Sequence, residues 1–394
     1  MSYRTLEQLD LEGKRVFMRV DFNVPLDKKT AREITSDTRI RRALPTVRAI
    51  LAQGAPIVLA SHLGRPHGEV NSRMSLGPVA ARLGALLGQP VALAPDCVGP
   101  EAEAMARALG PGEILLLENL RFHAGEQAND TEFARLLAAL GTAYVNDAFG
   151  TAHRAHASTV GVPRLLPDRA AGLLLQKEHE YLSMATSSPR NPYVAIIGGA
   201  KISGKIDVIR NLLRLADKVL IGGAMTYTFL KAQGVGVGDS LVEAEKLDLA
   251  RSLLAAAGGR IVLPVDHVVA QEFSADSPAR IVRDAVPDRW MGLDIGPETV
   301  AQYEAAIGEA KMIVWNGPMG VFELEPFAAG TVAVAKAVES ASGQAVSIVG
   351  GGDSERAIRA AGVGQKISHI STGGGASLEF LGGKSLPAFE ALAM

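Results

Sequence analysis

The stretch IVGGGDSERAI, Ile348–Ile358, decides how the rest of the chain is read. An apolar run, Ala345–Val349, predicts a buried strand. Gly350, Gly351 and Gly352 follow, then Asp353, Ser354 and a helical pattern over Glu355–Ala361 closed by Gly362. Strand, glycine turn and helix N-terminus together make an anion seat. Glycines let the backbone approach a phosphate, and the free N–H groups and dipole of the helix favour negative charge. Asp353 puts a carboxylate beside that seat, which suits a divalent cation bridging carboxylate and phosphate. Mg²⁺ takes one or two carboxylates plus phosphate oxygens. A Mg-nucleotide site is one expectation; a tight βα turn with an Asp or Ser helix cap is the plain alternative.

Outward from this stretch the same unit recurs. Short apolar runs are expected as buried strands at Val16–Val24, Pro56–Leu63, Val91–Ala94, Ile114–Leu117 and Ala143–Asn146. A second set runs Tyr193–Ile197, Lys218–Ile221, Arg260–Val265, Met312–Trp315, Ala345–Val349 and, weakest, His369–Ser371. Helical patterns lie between them, among them Ser72–Leu87, Thr131–Leu140, Ser203–Leu215, Ala244–Ala257 and Thr331–Ser340. This alternation predicts an α/β protein with parallel sheets covered by helices on both faces. The 394 residues are too many for one ordinary core. A helix over Ala171–Met184 and the linker TSSPRNP place an expected boundary between two similar halves.

Composition narrows the function. Lys+Arg number 40 against 42 Asp+Glu, so no nucleic-acid or membrane-surface partner is expected. The single cysteine, Cys97, excludes a disulfide framework and is expected as a small buried hydrophobe. The opening MSYRTLEQLDLEGKR holds no apolar leader segment, and no apolar run approaches a membrane span. A cytoplasmic location is expected.

In parallel sheets ligands bind beyond the carboxyl ends of the strands. In the first half those ends offer Asp21 and Asn23, then Ser61, His62, Gly64 and Arg65, then Glu118, Asn119, Arg121 and His123, then Asn146, Asp147 and GTAHRAHAS. Arg39 opens a helical pattern near Asp37, which Pro45 is expected to break or restart. Any one arginine reads equally as a solvated charge. Four of them with His62 on one sheet edge would hold a small, multiply anionic molecule. Arg19, inside a strand, is expected as a structural ion-pair partner. His153 and His156 flank Arg154, and no acidic or cysteine cluster beside them supports zinc.

The second half offers GGAKISGK, GGAM, Asp266 and His267, NGPMG, GGGDS and TGGG. Gly199, Gly204 and Lys205 resemble a P-loop, but Ile206 lacks the hydroxyl that would hold Mg²⁺. Lys201 and Lys205 are spaced i, i+4 and are expected on one helix face, reaching toward the 350–354 turn. VGVGD (235–239) does not fit a dinucleotide fingerprint, so a dehydrogenase is disfavoured. Gly373, Gly374 and Gly375 precede a short helix, Ala376–Leu381, and make a second anion seat.

Taken together, RVDFNVP (19–25), SHLGRP (61–66), LENLRFHAGE (117–126), NDAFGTAHRAHAS (146–158), GGAKISGK (198–205), MGLDIGP (291–297), VWNGPMGVFE (314–323), GGGDS (350–354) and STGGGASLEFL (371–381) resemble the phosphoglycerate kinase family, in that family's order and over nearly the whole chain. The resemblance implies two Rossmann-like domains separated by a deep cleft. It implies a phosphoglycerate-binding domain over residues 1–170, an interdomain helix and linker over 171–191, a nucleotide-binding domain over 192–375, and a final segment, 376–394, returning to the first domain. Asp21, Phe22, Asn23, Arg39, His62, Leu63, Gly64, Arg65, Arg121 and Arg154 would hold 3-phosphoglycerate or 1,3-bisphosphoglycerate. Lys205, Gly292, Glu323, Gly351, Gly352, Asp353 and Ser354 would hold ADP or ATP, with Glu323 on the ribose hydroxyls and Asp353 on Mg²⁺. Arg39, Lys201 and the Gly373–Gly375 backbone would neutralise the phosphoryl group in transfer. The sequence departs from the usual family residues at Gly204 and Ser354. The resemblance also implies a monomer and closure of the two domains about 171–191. A non-catalytic protein that closes on a nucleotide or anion is the reading from another class; it would need the glycine turns and arginines but not Lys201 or Arg39.

Overall fold

Six short apolar segments pair in parallel in the first half of the chain: β1 Val16–Val20, β2 Ile57–Ala60, β3 Ala92–Leu93, β4 Ile114–Leu116, β5 Ala143–Asp147 and β6 Arg169–Ala171. Their order is β3-β4-β2-β1-β5-β6. The computed structural model describes residues 3–27 and 29–393. Met1, Ser2, Lys28 and Met394 lie outside them, including the first residue of the expected first domain and the last of the expected returning segment. The residues of β1, β2, β4 and β5 are buried without a break, as a sheet covered on both faces requires. One face packs Met18, Leu59, Leu116 and Val145 against Val47, Ile50, Val79 and Leu83 of the flanking helices.

The second half repeats the plan. β7 Tyr193–Ile197, β8 Lys218–Ile221, β9 Ile261–Val262, β13 Met312–Asn316, β14 Val346–Gly350 and β15 His369–Ile370 pair in parallel in the order β15-β14-β13-β7-β8-β9. Trp315, Tyr303 and Val334 are fully buried against this sheet. Three further strands, β10 Asp266–Ala270, β11 Arg280–Arg283 and β12 Met291–Ile295, form a separate antiparallel sheet in the order β11-β10-β12.

The chain divides into two compact units, residues 1–179 with 385–394, and residues 180–384. The division falls inside the helix Leu173–Ser187, not after residue 170. The expected helix start at Ala171 is corrected, since Ala171 ends β6 and is paired to Asn146. Residues 376–384 belong to the second unit: the helix Gly374–Leu381 is tied there by Asn211 Nδ2 donating to Leu381 O at 2.7 Å. Only the helix Pro387–Leu392 and its flanks return to the first unit, where Phe389 packs on Tyr3 and His179.

Pro45 does not interrupt its helix, which runs Thr38–Ala52. The apolar stripe Leu44, Val47 and Ile50 is buried on both sides of the proline, and it outweighs the roughly 3 kcal/mol that an internal proline costs. Among the described residues no helix is long and apolar enough to cross a membrane.

Candidate active site

In the first unit the side chains are set by the turns that end β1, β2 and β4. Asp21 leaves β1 and accepts from Arg39 Nη1 with both carboxylate oxygens at 2.9 Å. Burial alone would raise the Asp21 carboxyl; Arg39, His62 and Arg19 overcome it and hold the group below its usual range. Asn23 Oδ1 accepts from Gly64 N at 2.9 Å, tying the first turn to the second. Asn119 locks the third: its amide donates to Leu63 O and Met74 O, and its oxygen accepts from Leu63 N and Arg121 N.

His62 is 3% exposed. Burial pushes it well below its ordinary value, with Asp21 opposing, so the ring is neutral. Arg19 Nη2 lies 3.2 Å from His62 Nδ1 and can only donate, which leaves the proton on Nε2 as a hydrogen-bond donor. Arg121 is also 3% exposed. Its Nη1 donates to Gly64 O at 2.8 Å, while Nε and Nη2 are buried with no partner. Burial first, then Arg154 and Arg19, push this guanidinium down to about 10. Buried donors left unpaired on a charged group are costly, and an anion removes the cost. Arg154 Nε donates to His153 Nε2 at 3.2 Å. Arg65 is exposed at the end of the β2 turn.

Two of the expected contact residues, Phe22 and Leu63, turn their side chains inward. Their backbone N–H groups are taken by Ser61 Oγ and Asn119 Oδ1. They shape the turns and present no side chain. Behind the turns lies a buried network that sequence reasoning only touched at Arg19. Arg19 Nε donates to Ser158 Oγ at 2.8 Å, and Glu126 stands 4.0 Å away. Glu126 accepts from Ser158 N and Oγ at 2.9 and 2.6 Å. Glu126→Gln removes the buried carboxylate nearest Ser158 and Arg19, so the variant is expected to lose about 1–3 kcal/mol of stability, read by urea unfolding. An unchanged midpoint would mean that Arg19's other partners, Ser158, Val20 and His62, satisfy it without Glu126.

In the second unit the glycine turns after β7 and β13 close on one lysine. Lys205 Nζ donates to Gly198 O, Asn316 O and Asn316 Oδ1 at 2.6, 2.9 and 2.6 Å. Asn316 Nδ2 in turn donates to Gly350 O at 2.9 Å, joining the lysine to the 350–352 turn. Burial pushes Lys205 down to about 8, with the Asp353 charge opposing. The expected shared helix face of Lys201 and Lys205 is corrected. Lys201 precedes the 3-10 turn Ser203–Lys205 and is exposed, whereas Lys205 turns inward. Glu243 anchors the loop after Lys201, accepting from Ile202 N at 2.6 Å and Ser203 Oγ at 2.5 Å.

The expected Ser354 cap is also corrected. The helix runs Gly352–Ala360 with Gly351 as its N-cap, and no side chain caps it. Ser354 is fully buried and its hydroxyl accepts from Gly317 N at 2.7 Å. Asp353 sits exposed in the first turn; Arg356 Nη2 donates to it at 2.7 Å and to Glu323 Oε1 at 3.2 Å. The Asp353 carboxylate, 63% exposed, keeps its solvent side open beside the anion seat despite its pairing with Arg356, and one carboxylate with phosphate oxygens fits Mg²⁺. Gly292 lies buried in β12, where an added Cβ would stand 1.7 Å from Tyr227 Oη. Gly373 caps the helix Gly374–Leu381, with Gly375 exposed.

Asn119 and Asn316, the latter in NGPMG, are legible in the sequence as polar strand-end residues, but not as the residues that lock the turns; Glu126 and Glu243 are not singled out. Glu126 and Glu243 carry no local signal.

The lysine seat implies a pH dependence. Lys205 is cationic below about pH 8 and neutral above it, so its attraction for phosphate is present below that pH and lost as pH rises. kcat/KM for the nucleotide is expected to fall above about pH 8, and this limb is expected to be absent in Lys205→Met. A flat profile from pH 7 to 9.5 would contradict it.

The family model for phosphoglycerate kinase matches residues 6–384. Phosphoglycerate kinases of Solibacter usitatus and Moorella thermoacetica are 61% and 58% identical over 394 and 396 aligned residues, covering 100% of this chain and 100% and 99% of theirs. The solved phosphoglycerate kinase of Coxiella burnetii superimposes with a TM-score of 0.89 at 43% identity, covering 99% of both chains. That of Pyrococcus horikoshii gives 0.87 at 36% identity, covering 99% of this chain and 98% of that one. The fold, the two anion-seeking clusters and these likenesses agree: the chain has phosphoglycerate kinase activity and belongs to the phosphoglycerate kinase family, phosphotransferases that use a carboxyl group as acceptor.

Proposed function

We propose that the first unit binds 3-phosphoglycerate or 1,3-bisphosphoglycerate and the second binds ADP or ATP, with Mg²⁺ held by Asp353. The observation that carries this reading is Arg121, a buried guanidinium with two unpartnered donors beside Arg154, His62 and the Asp21–Arg39 pair. His62 Nε2–H and Arg121 Nε and Nη2 are the donors for carboxylate and phosphate oxygens, with Arg65 and Arg154 supplying further charge. Gly64 and Asn23 fix the loop that carries Arg65.

The nucleophile is a phosphate oxygen in one direction and a carboxylate in the other. Both are ionised at neutral pH, so no general base is required. The task is in-line positioning and charge neutralisation. Arg39 and Lys201 supply positive charge to the phosphoryl group, and the backbone N–H groups at Gly373–Gly375 supply dipoles. Lys205 and the Gly351–Gly352 turn seat the nucleotide phosphates, and Glu323 receives the ribose hydroxyls. Bound Mg²⁺ neutralises phosphate charge. The reacting atoms must come within about 3–3.5 Å, so the two units approach one another during turnover, which also excludes water. A monomer in the cytoplasm fits these assignments.

The test supplies 3-phosphoglycerate, ATP and Mg²⁺ with NADH and a dehydrogenase that consumes 1,3-bisphosphoglycerate. NADH loss is expected only with all three present. Undiminished loss in excess EDTA would remove Mg²⁺ from the reading.

A further inference from the structure

Beyond the site, one mixed cluster of metal-ligating side chains stands among the described residues. A carboxylate oxygen of Asp96, Cys97 Sγ and a ring nitrogen of His123 all lie within 4.8 Å of one another. We propose that these three residues form a binding site for a thiophilic divalent cation of the zinc class.

Chemistry and placement support it. Zinc accepts sulfur, nitrogen and oxygen ligands at about 2.0–2.3 Å, and three protein ligands leave a fourth position for water. Tetrahedral bonds of that length hold ligand atoms about 3.3–3.8 Å apart, so the Asp96–His123 pair, 2.7 Å apart, opens slightly and exchanges its hydrogen bond for metal bonds. Cys97 is fully buried and forms the floor. The Asp96 and His123 side chains are 45% and 32% exposed and form a rim that a hydrated ion can reach. The rim is already oriented. His123 Nε2 lies 2.7 Å from Asp96 Oδ1, the same oxygen accepts from Cys97 N at 2.6 Å, and the imidazole stacks on Phe133 with centroids 5.3 Å apart. Mg²⁺ prefers all-oxygen ligands, so the thiol separates this site from the nucleotide's cation.

Binding exchanges a proton for the metal. Cysteine binds metal as the thiolate, so Cys97 gives up its thiol proton on binding. The Cys97 S–H bond breaks, the S–metal bond forms, and one proton goes to solvent. His123 supplies a ring nitrogen and Asp96 a carboxylate oxygen as the other two ligands.

The test uses the full chain, stripped of metal, titrated with Co²⁺. A thiolate-to-cobalt charge-transfer band saturating at one ion per chain is expected. Zn²⁺ should displace it, and calorimetry in two buffers should read about one proton released per Zn²⁺. Cys97→Ala should abolish the band. Because Cys97 is in the core, the half-exposed His123→Ala provides the second variant, expected to bind Co²⁺ at least about tenfold more weakly with an unchanged circular dichroism spectrum. No saturable band, or a band that survives in both variants, would overturn the site.

Discussion

Replacing Arg39 or Lys201 with alanine is expected to lower kcat by about 10²–10³-fold while substrate affinity changes far less. That is the loss seen when one preorganised donor to developing charge is removed. Arg39 is aimed by its pair of 2.9 Å bonds to Asp21. The Asp21 side chain is 12% exposed against 36% for Arg39, so the carboxylate is the fixed end and the guanidinium reaches outward. Asp21 cannot fill the vacancy in Arg39→Ala, because removing the arginine leaves only a negative charge. Lys201 is exposed on a loop anchored through Glu243, while Lys205 stays in its carbonyl seat. Nucleotide binding is therefore expected to survive in Lys201→Ala and turnover is not. Single-turnover kinetics with calorimetric nucleotide affinity separates the two. Parallel losses of binding and turnover in both variants would make Arg39 and Lys201 ligand-binding residues and not residues of the transfer step.

How much of this was visible in the sequence depends on how local each signal is. β7 and β8 follow the bounds set by their apolar runs, because a strand covered on both faces must be apolar throughout. The edge strand of the antiparallel sheet is hidden for the complementary reason. β11, Arg280–Arg283, is largely exposed, so RIVR carries no buried run. The arginine pattern at the strand ends marked a polyanion site, since parallel topology brings those ends together. Burial was the hidden quantity. Lys205 was expected to reach outward, but its ammonium is taken by backbone carbonyls that the glycine turns alone expose. Ser354 was expected to cap a helix and instead holds Gly317. Asp96 and His123 stand far apart in sequence and meet only because β3 and β4 are neighbours in the sheet.

Gly317→Ala tests the whole lysine seat with one methyl group. Gly317 has φ +93°, and an added Cβ would stand 2.3 Å from Gly198 O and 2.5 Å from Lys205 Nζ. The left-handed backbone costs a non-glycine residue about 1–2 kcal/mol, and forcing a methyl against fixed backbone costs about 1–3 kcal/mol more. A loss of roughly 2–5 kcal/mol is expected, a large part of the stability of an ordinary domain. The methyl cannot be absorbed by a rotamer change, because Gly317 is held on three sides: its N–H donates to Ser354, its carbonyl accepts from Trp315 Nε1 at 2.7 Å, and Gly198 faces it. Relief must come from Lys205, so nucleotide affinity should fall together with stability. The control is the same substitution at Gly308, exposed in the helix Pro297–Glu309 with no atom within 4 Å of an added Cβ. There alanine should stabilise by about 0.5–1 kcal/mol, because glycine gives up more backbone freedom in a helix. Urea unfolding and nucleotide calorimetry on both variants should move in opposite directions for stability and only at Gly317 for affinity. If Gly317→Ala binds nucleotide normally, the carbonyl seat is not what holds Lys205 for phosphate.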